Sequence, residues 1–242
     1  MPSMDAWYQA FKAGQCNPVQ ARYWQTKPGE EFYVITSDPY QINNLIDQKE
    51  HAKTISRLRQ MLRDRLIETR DAGLIAEGMY AWLPGEQTVY EYAHSRAYPI
   101  EAIVDLAIQA TSRDSAYLPS LTDALSHPHP VMRYWAATGC VVLGGQATEA
   151  KVRLTALVND PAADVRVVAA EALARMGDVD TAKQTLLTVI QTGNPYEGLA
   201  AINALEMIAR DNLMSGDELR ALLEGTKRTD LMERVMDAIN TL

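Results

Sequence analysis

Two segments of this chain, residues 131–144 and 164–177, repeat one pattern at a separation of 33 residues. Arg166 corresponds to Arg133, the pair Ala169-Ala170 to Ala136-Ala137, and Gly177 to Gly144. Self-similarity at such a period is typical of stacked helical pairs, because one pair cannot bury its apolar face alone. The repeat therefore predicts an array of helices, a type of fold that offers binding surfaces.

The periodicity within each copy is helical. In residues 164–177 one stripe of a 3.6-residue period is formed by Val165, Val168, Ala169, Ala172, Leu173 and Met176. Gly177 suits a left-handed C-terminal cap. Similar helix pairs are predicted at 118–125 with 131–143, at 152–158 with 164–177, at 186–190 with 199–208, and from Ser215 to Ile239, where Ser215 and Glu218 have capping-box spacing.

Over roughly the last 140 residues the chain resembles the HEAT-repeat family, through the order Asp-Pro, Val-Arg, Ala-Ala. These residues are Asp160-Pro161, Val165-Arg166 and Ala169-Ala170, and the preceding copy has Pro130, Arg133 and Ala136-Ala137. The resemblance implies structural roles for Arg133, Arg166, Asp160, Ala136 and Ala169. We expect each Arg to hydrogen-bond loop carbonyls or the preceding acid; a ligand-binding Arg pair is the alternative.

The first third has a different pattern. Phe32-Tyr33-Val34-Ile35 is a short β-prone run, Ser37-Asp38-Pro39-Tyr40 is typical of a turn, and an amphipathic helix is predicted from Lys49 to Arg70. Strand, turn and helix predict a small α+β unit, although a lone strand cannot satisfy its hydrogen bonds.

The same segment is similar to the C-terminal pattern of type I sulfatases, Lys-Pro-x-Glu-Glu-Leu-Tyr-Asp-Leu-x-x-Asp-Pro-x-Glu-x-x-Asn-Leu. The matching residues are Glu31, Tyr33, Asp38, Pro39, Asn44 and Leu45, whereas Val34 and Gln41 replace the usual Asp and Glu. Bacterial members similar to heparan N-sulfatase often continue into HEAT repeats. The resemblance implies a parent that hydrolyses sulfate esters or sulfamates, in particular of glycans.

Sulfatases use a formylglycine, made from the Cys or Ser of a Cys/Ser-x-Pro-x-Arg motif, together with calcium. Cys16 is followed by Asn17-Pro18-Val19-Gln20, so Gln20 stands where the motif has Arg. Sulfate cleavage needs a positioned nucleophile and a metal. We therefore predict no catalytic, cofactor-binding or metal-ligating residue here, and no activity of this chain alone towards sulfate esters.

Three other candidates have structural interpretations that we favour. His127-Pro128-His129-Pro130 places two imidazoles in a turn, but a third metal ligand is missing nearby. Tyr134-Trp135 fits packing between repeats. A basic run on the first long helix fits a solvated face, with contact to an anionic glycan as the alternative; it comprises Arg57, Arg59, Arg63, Arg65 and Arg70.

Charge is unevenly distributed. Residues 1–98 carry 11 basic and 12 acidic side chains, whereas residues 99–242 carry 12 and 19, a net charge of −7. Nucleic-acid binding requires clustered positive charge, so we expect no nucleic-acid partner. No window approaches the roughly 18 apolar residues of a membrane span. We expect no secretory signal at Met1–Asp5, although the parent family is usually exported or periplasmic.

Together these features predict a mainly α chain with three parts: a sulfatase C-terminal subdomain remnant at 1–73, a connector at 74–98 that packs against one half, and a HEAT-like α-solenoid at 99–242. The first hypothesis is a non-catalytic C-terminal portion of a sulfatase, a structural or interaction module whose partner is a sulfatase catalytic domain or another protein. The alternative is a free-standing HEAT adaptor that binds a protein partner. An enzyme of the HEAT-like lyase kind lacks a candidate nucleophile or acid/base pair.

Overall fold

A computed structural model describes residues 2–226 and 228–241, with the side chains of all of these except Pro2, Met232 and residues 239–241. The fold is mainly helical, and within those ranges it contains no β-strand. The helices are α1 (Pro2–Lys12), α2 (Pro18–Ala21), α3 (Ala52–Glu68), α4 (Val89–Ala93), α5 (Ile100–Thr111), α6 (Leu118–Ala124), α7 (Pro130–Leu143), α8 (Lys151–Leu157), α9 (Ala163–Arg175), α10 (Val179–Thr192), α11 (Pro195–Arg210), α12 (Gly216–Glu224) and α13 (Met232–Thr241). Among these described helices, none combines the length and the hydrophobicity needed to cross a bilayer.

The chain divides into two compact units, the first ending at Leu62 and the second beginning at Arg63, so that the boundary falls inside α3. The first unit has one buried residue among those described, Ile55. Several of its aromatic rings surround Trp24, whose centroid lies 4.8 Å from those of Tyr8 and Tyr23 and 5.5 Å from that of Trp7. Aromatic contacts therefore supply much of the packing in this unit.

The strand predicted at 32–35 is wrong, because this segment is irregular. The Phe32 amide donates to Asn44 Oδ1 at 2.9 Å, and the Phe32 carbonyl accepts from the Leu45 amide at 2.8 Å. A β-prone run forms a strand only when another strand pairs with it. Here the Asn44 side chain and the Leu45 amide satisfy the backbone groups of Phe32 instead. The first unit is therefore helices and turns, with no β part among its described residues.

Helices of the second unit contact one another in a regular order. α5 packs on α7, α7 on α9, α9 on α11 and α11 on α13. The intervening helices pack beside these, α6 on α7, α8 on α9, α10 on both α9 and α11, and α12 on both α11 and α13. Helices were predicted at each of these positions except that of α5, and α7 begins one residue before the predicted 131–143.

Alanine-rich α9 contributes to two hydrophobic clusters. Val165, Ala169 and Leu173 belong to the cluster that also contains α5 and α7 residues. Val167, Ala170 and Ala174 belong to the cluster that contains α10 and α11 residues. Small side chains on both faces allow a neighbouring helix to approach closely on each side.

Left-handed glycines follow two of the repeat helices. Gly144 has φ +55° and Gly177 has φ +86°. The Gly177 amide donates to the Ala174 carbonyl at 3.0 Å and the Asp178 amide to the Leu173 carbonyl at 2.9 Å, so the predicted C-terminal cap of α9 is present. At α12, the Ser215 side chain accepts from the Glu218 amide, which is one half of the predicted capping box, whereas Glu218 Oε1 accepts from Lys183 Nζ. The Ile239 side chain, predicted to end the last stripe, lies outside the described side chains.

The connector at 74–98 packs within the second unit. Its buried residues are Ile75, Gly78, Met79, Pro84, Tyr92, Ala93 and Tyr98. The Arg70 guanidinium donates to the carbonyls of Ala93, Ser95 and Tyr98, the last two at 2.7 and 2.8 Å. The Trp135 indole donates to the Leu74 carbonyl at 2.9 Å. These bonds hold the connector against the helices of this unit.

Candidate functional site

A cavity of about 360 Å³ lies between the segment 76–78, α9 and α11, and we call it the acidic groove. It is lined by Ala76, Glu77, Gly78, Tyr134, Asp164, Val167, Val168, Glu171, Tyr196, Leu199, Ala200, Asn203, Ala204 and Met207. Three of these described residues are carboxylates, two are tyrosines and none is basic. Concave sites of this size, with mostly apolar walls and a few polar groups, are the usual form of ligand pockets.

Asp164 is the most unusual member of the acidic groove. It lies in the first turn of α9 and is only 4% exposed. Burial, followed by the nearby Glu197 carboxylate, raises the pKa of its carboxyl to about 6, although hydrogen bonds from the backbone amides of Asp164 and Gly78 act in the opposite direction. Its Oδ2 atom has no hydrogen-bond partner among the described residues. An unsatisfied buried carboxylate oxygen is costly.

Gly78 lies directly against this carboxylate. A Cβ atom at position 78 would come within 2.5 Å of Glu197 Cγ and 2.6 Å of Asp164 Oδ2. Only glycine therefore allows the segment to approach α9 and α11 this closely. The Gly78 carbonyl accepts from Asn194 Nδ2 at 2.9 Å, so the peptide is held from both sides.

Glu197 has a structural role at the start of α11. Its Oε2 accepts from the Asn194 amide at 2.7 Å, and Asn194 Oδ1 accepts from the Tyr196 and Glu197 amides at 3.0 and 3.1 Å. This is a reciprocal capping box, which satisfies amides that the first turn leaves unpaired. The Glu197 carboxylate is thereby fixed near Asp164, where it raises the Asp164 pKa.

Glu171 and Tyr134 complete the polar part of the groove. Glu171 Oε1 lies 3.2 Å from Arg175 Nη2, which also lies 3.1 Å from Asp211 Oδ2. Burial raises the pKa of Glu171 and that of the Tyr134 hydroxyl. The groove therefore offers hydrogen-bond acceptors and two aromatic rings beside aliphatic walls.

The repeated arginines lie in the first turns of α7 and α9, and their side chains bond the turns that precede these helices. Arg133 forms a two-bond ion pair with Asp160, with Nε–Oδ2 at 2.6 Å and Nη2–Oδ1 at 2.8 Å. Its Nη1 donates to the carbonyls of His127 and Pro128, both at 2.9 Å. Arg166 Nη1 donates in the same way to the carbonyls of Asp160 and Pro161. Both contact loop carbonyls as predicted, but the acid bound by Arg133 follows it in the chain, whereas a preceding acid was expected.

In the turn before α11, the third of this series, the guanidinium group comes from a residue outside the repeated pattern. Leu199 stands 33 residues after Arg166, so this copy lacks the repeated Arg. Instead Arg228 Nη1 donates to the carbonyls of Ile190 and Gly193 at 2.8 and 2.9 Å. Sequence reasoning missed Arg228, although the absence of an Arg at 199 left turn carbonyls in need of a donor. The other repeat positions, Ala136 and Ala169, are fully buried.

Two of the residues that match the sulfatase pattern organise the turn at 30–46. Asp38 accepts from the Ile42 amide at 3.0 Å and the Asn43 amide at 2.7 Å, and these bonds lower the pKa of its carboxyl. Asn44 Oδ1 accepts from the amides of Phe32 and Ile46 at 2.9 and 3.1 Å. A carboxylate and an amide that bond nearby backbone groups are typical of tight turns.

The other matching residues surround this turn. Pro39 lies within it, and Leu45 donates its amide to the Phe32 carbonyl. Burial, followed by the neighbouring Glu31 carboxylate, raises the pKa of Tyr33. The pattern is thus a local structural unit around the turn.

The remaining candidates have structural partners. His129 Nε2 lies 2.9 Å from the Tyr92 hydroxyl, and His129 Nδ1 accepts from the Val131 amide at the start of α7. Within the described ranges, no three His, Cys, Asp or Glu side chains are grouped to hold a metal ion. Cys140 is fully buried, which raises the pKa of its thiol to about 12, and Cys16 is half-buried.

The predicted basic run is divided among separate partners. Arg59 pairs with Glu30, Arg63 donates to Asp105 at 2.6 and 2.8 Å, and Arg65 lies 3.1 Å from Glu68. Arg57 lies 3.8 Å from the Met61 sulfur, and Arg70 binds connector carbonyls. Most of these guanidinium groups therefore already have an acidic or carbonyl partner.

Comparison of the chain with protein-family models, with curated proteins and with solved structures found no significant match.

Proposed function

We propose that this chain is the non-catalytic C-terminal portion of a type I sulfatase, and that it serves as a structural and interaction module. The observation that carries the proposal is the turn at 30–46. Asp38 and Asn44, two residues of the sulfatase pattern, make the side-chain bonds on which this turn depends. Residues that match a pattern and also build its local structure support a common origin more strongly than a match alone.

The second unit supports an interaction role. We propose that its helix pairs form a short HEAT-like α-solenoid, in which α7, α9 and α11 are successive second helices. The contacts of each of these helices with the next, and the guanidinium group in each turn, support this arrangement. Solenoids of this kind commonly use an extended surface to bind partners. The acidic groove between α9 and α11 is the candidate surface here.

The first experiment mixes the purified chain with the catalytic region of a heparan N-sulfatase-like enzyme that ends before the Lys-Pro-x-Glu-Glu pattern. We expect one-to-one co-elution on size-exclusion chromatography, and no desulfation by the chain alone. Asp38→Ala with Asn44→Ala should weaken co-elution, whereas Glu149→Ala, an exposed change in the second unit, should not. Desulfation by the chain alone, or no co-elution by a chain whose circular dichroism is helical, contradicts the proposal.

The alternative is a free-standing HEAT adaptor, and the acidic groove is the observation that favours it. The DNA immediately upstream of the coding sequence distinguishes the two. A reading frame with a Cys/Ser-x-Pro-x-Arg motif supports the sulfatase assignment, whereas an unrelated neighbour supports the adaptor. In both cases the second unit binds and does not catalyse.

A further inference from the structure

We propose that the acidic groove binds an organic cation with an aliphatic stem, either the ammonium or guanidinium group of a basic protein side chain or a free alkylamine. This inference rests on the proposed interaction role of the second unit and does not depend on the sulfatase assignment. It is based on one unpartnered buried atom, on the charge of the lining and on the shape of the apolar wall.

Asp164 provides the acceptor for the cationic head group. The residue is 96% buried, it lines the groove, and its Oδ2 has no hydrogen-bond partner within the described part of the chain. A positively charged donor satisfies such an oxygen and favours its ionised form. Because Gly78 lies against this carboxylate, a head group that reaches it must shift the Gly78 backbone.

The charge of the lining favours a positively charged ligand. Glu77, Asp164 and Glu171 are its three ionisable acids, and none of its described residues is a lysine, arginine or histidine. The nearest basic groups already have partners, since Arg175 pairs with Glu171 and Asp211 and Arg166 donates to turn carbonyls. Residues 99–242 carry a net charge of −7, which attracts cations and repels anions over a longer range.

The rest of the lining suits an alkyl stem and a cation beside aromatic rings. The apolar wall consists of Ala76, Val167, Val168, Leu199, Ala200, Ala204 and Met207. Lysine and arginine bury their methylene stems along such surfaces while the charged end reaches polar groups. Tyr134 and Tyr196 add rings whose faces attract cations.

The test titrates the full-length chain with n-butylammonium and n-butylguanidinium, followed by calorimetry and by two-dimensional NMR. n-Butanol, which has the same stem without the charge, is the ligand control. We expect saturable binding of the two cations, weak or no binding of n-butanol, and a shift of the Gly78 amide signal. Acetyl-Gly-Lys-Gly-amide and spermidine identify the source of the cation. Tighter binding of acetyl-Gly-Lys-Gly-amide indicates a protein side chain, and tighter binding of spermidine indicates a free amine.

Asp164→Asn tests the assigned acceptor. We expect this variant to raise the dissociation constant for n-butylammonium by about tenfold or more, because it removes the charge of a buried hydrogen-bond acceptor. Asp217→Asn is the matched control, because Asp217 also lies in the first turn of a helix, α12, but outside the groove, and it should change affinity less than about twofold.

Equal loss in both variants, or equal affinity for n-butanol and n-butylammonium, overturns the inference. Unchanged Gly78 signals at saturation also overturn it. These measurements use no sulfatase, and the co-elution experiment uses no added amine. Failure of one proposal is therefore distinguishable from failure of the other.

Discussion

Asp164 is a residue whose burial opposes the stability of the fold at neutral pH. Its pKa lies near 6 in the folded chain, above the 3.8 of an ordinary Asp. A carboxyl with a raised folded pKa contributes stability that is fully present below about pH 4 and is lost as the pH rises through 6. The charged or titratable groups that face it are Glu197 on α11, Glu77, Tyr134 on α7 and Arg166.

Asp164→Asn should therefore raise the free energy of unfolding above that of the wild type, and this gain should be larger at pH 7.5 than at pH 4. An amide keeps the acceptor for the Gly78 amide and removes the buried charge. We expect the gain at pH 7.5 to be on the order of 2 kcal/mol, since one pKa unit corresponds to about 1.4 kcal/mol. Urea unfolding of both proteins at the two pH values measures it. A gain that is the same at both pH values contradicts the assigned pKa.

The sequence showed Asp164 only as a polar residue in the first turn of a predicted helix. Its position in the acidic groove depends on Gly78, which lies 86 residues earlier in the chain and contacts it through tertiary packing. No periodicity within α9 reports such a contact. Gly78 itself belongs to a segment that was predicted only as a connector.

At the scale of elements, the turn before α9 is linked to the first turn of α7 by the Arg133–Asp160 ion pair. Both side chains are largely buried, at 14% and 3% exposed. Removal of one member of a buried pair leaves the other charge without compensation. Arg166 donates hydrogen bonds to the carbonyls of Asp160 and Pro161, and no acid forms an ion pair with it among the described residues.

Arg133→Ala should therefore destabilise the protein by about 3 kcal/mol, and Arg166→Ala by about 1 kcal/mol. Urea unfolding at pH 7.5 measures both. A double-mutant cycle with Asp160→Asn should give a coupling energy of about 2 kcal/mol with Arg133. Equal costs for the two arginine variants, or no coupling, contradict the role of this pair.

The helical elements were predictable because their signals are local. The stripe from Val165 to Met176 and the cap at Gly177 lie within one helix and its end, and both are present. The segment 32–35 shows the opposite case, because a β-prone run forms a strand only when another strand pairs with it. The substitute guanidinium of Arg228 was not predictable either, since it lies outside the repeated pattern.

At the scale of the whole molecule, the two units differ in how much they bury. The first unit has Ile55 as its one buried described residue, whereas much of α7 and α9 is fully buried. Backbone amides that lie in regions of few buried contacts exchange through low-energy local openings. The units should therefore differ in protection.

Hydrogen exchange followed by mass spectrometry of the full chain should show weak protection across residues 2–50 and strong protection across residues 131–177. We expect the exchange rates to differ on the order of a hundredfold or more. Binding of a sulfatase catalytic region should slow exchange in residues 2–50 if the proposed function is right. Equal protection in the two regions of the unbound chain counts against a remnant of a larger enzyme.

The position of α9 between two hydrophobic clusters has a consequence for how the second unit denatures. Because its opposite faces serve as a wall of each cluster, melting of this one helix uncovers both interiors at once. The many alanines of α9 leave little space between this helix and its neighbours. One added methylene on either face therefore strains both hydrophobic clusters. The array should consequently lose its structure in a single concerted step, and α9 is the helix least able to tolerate enlargement.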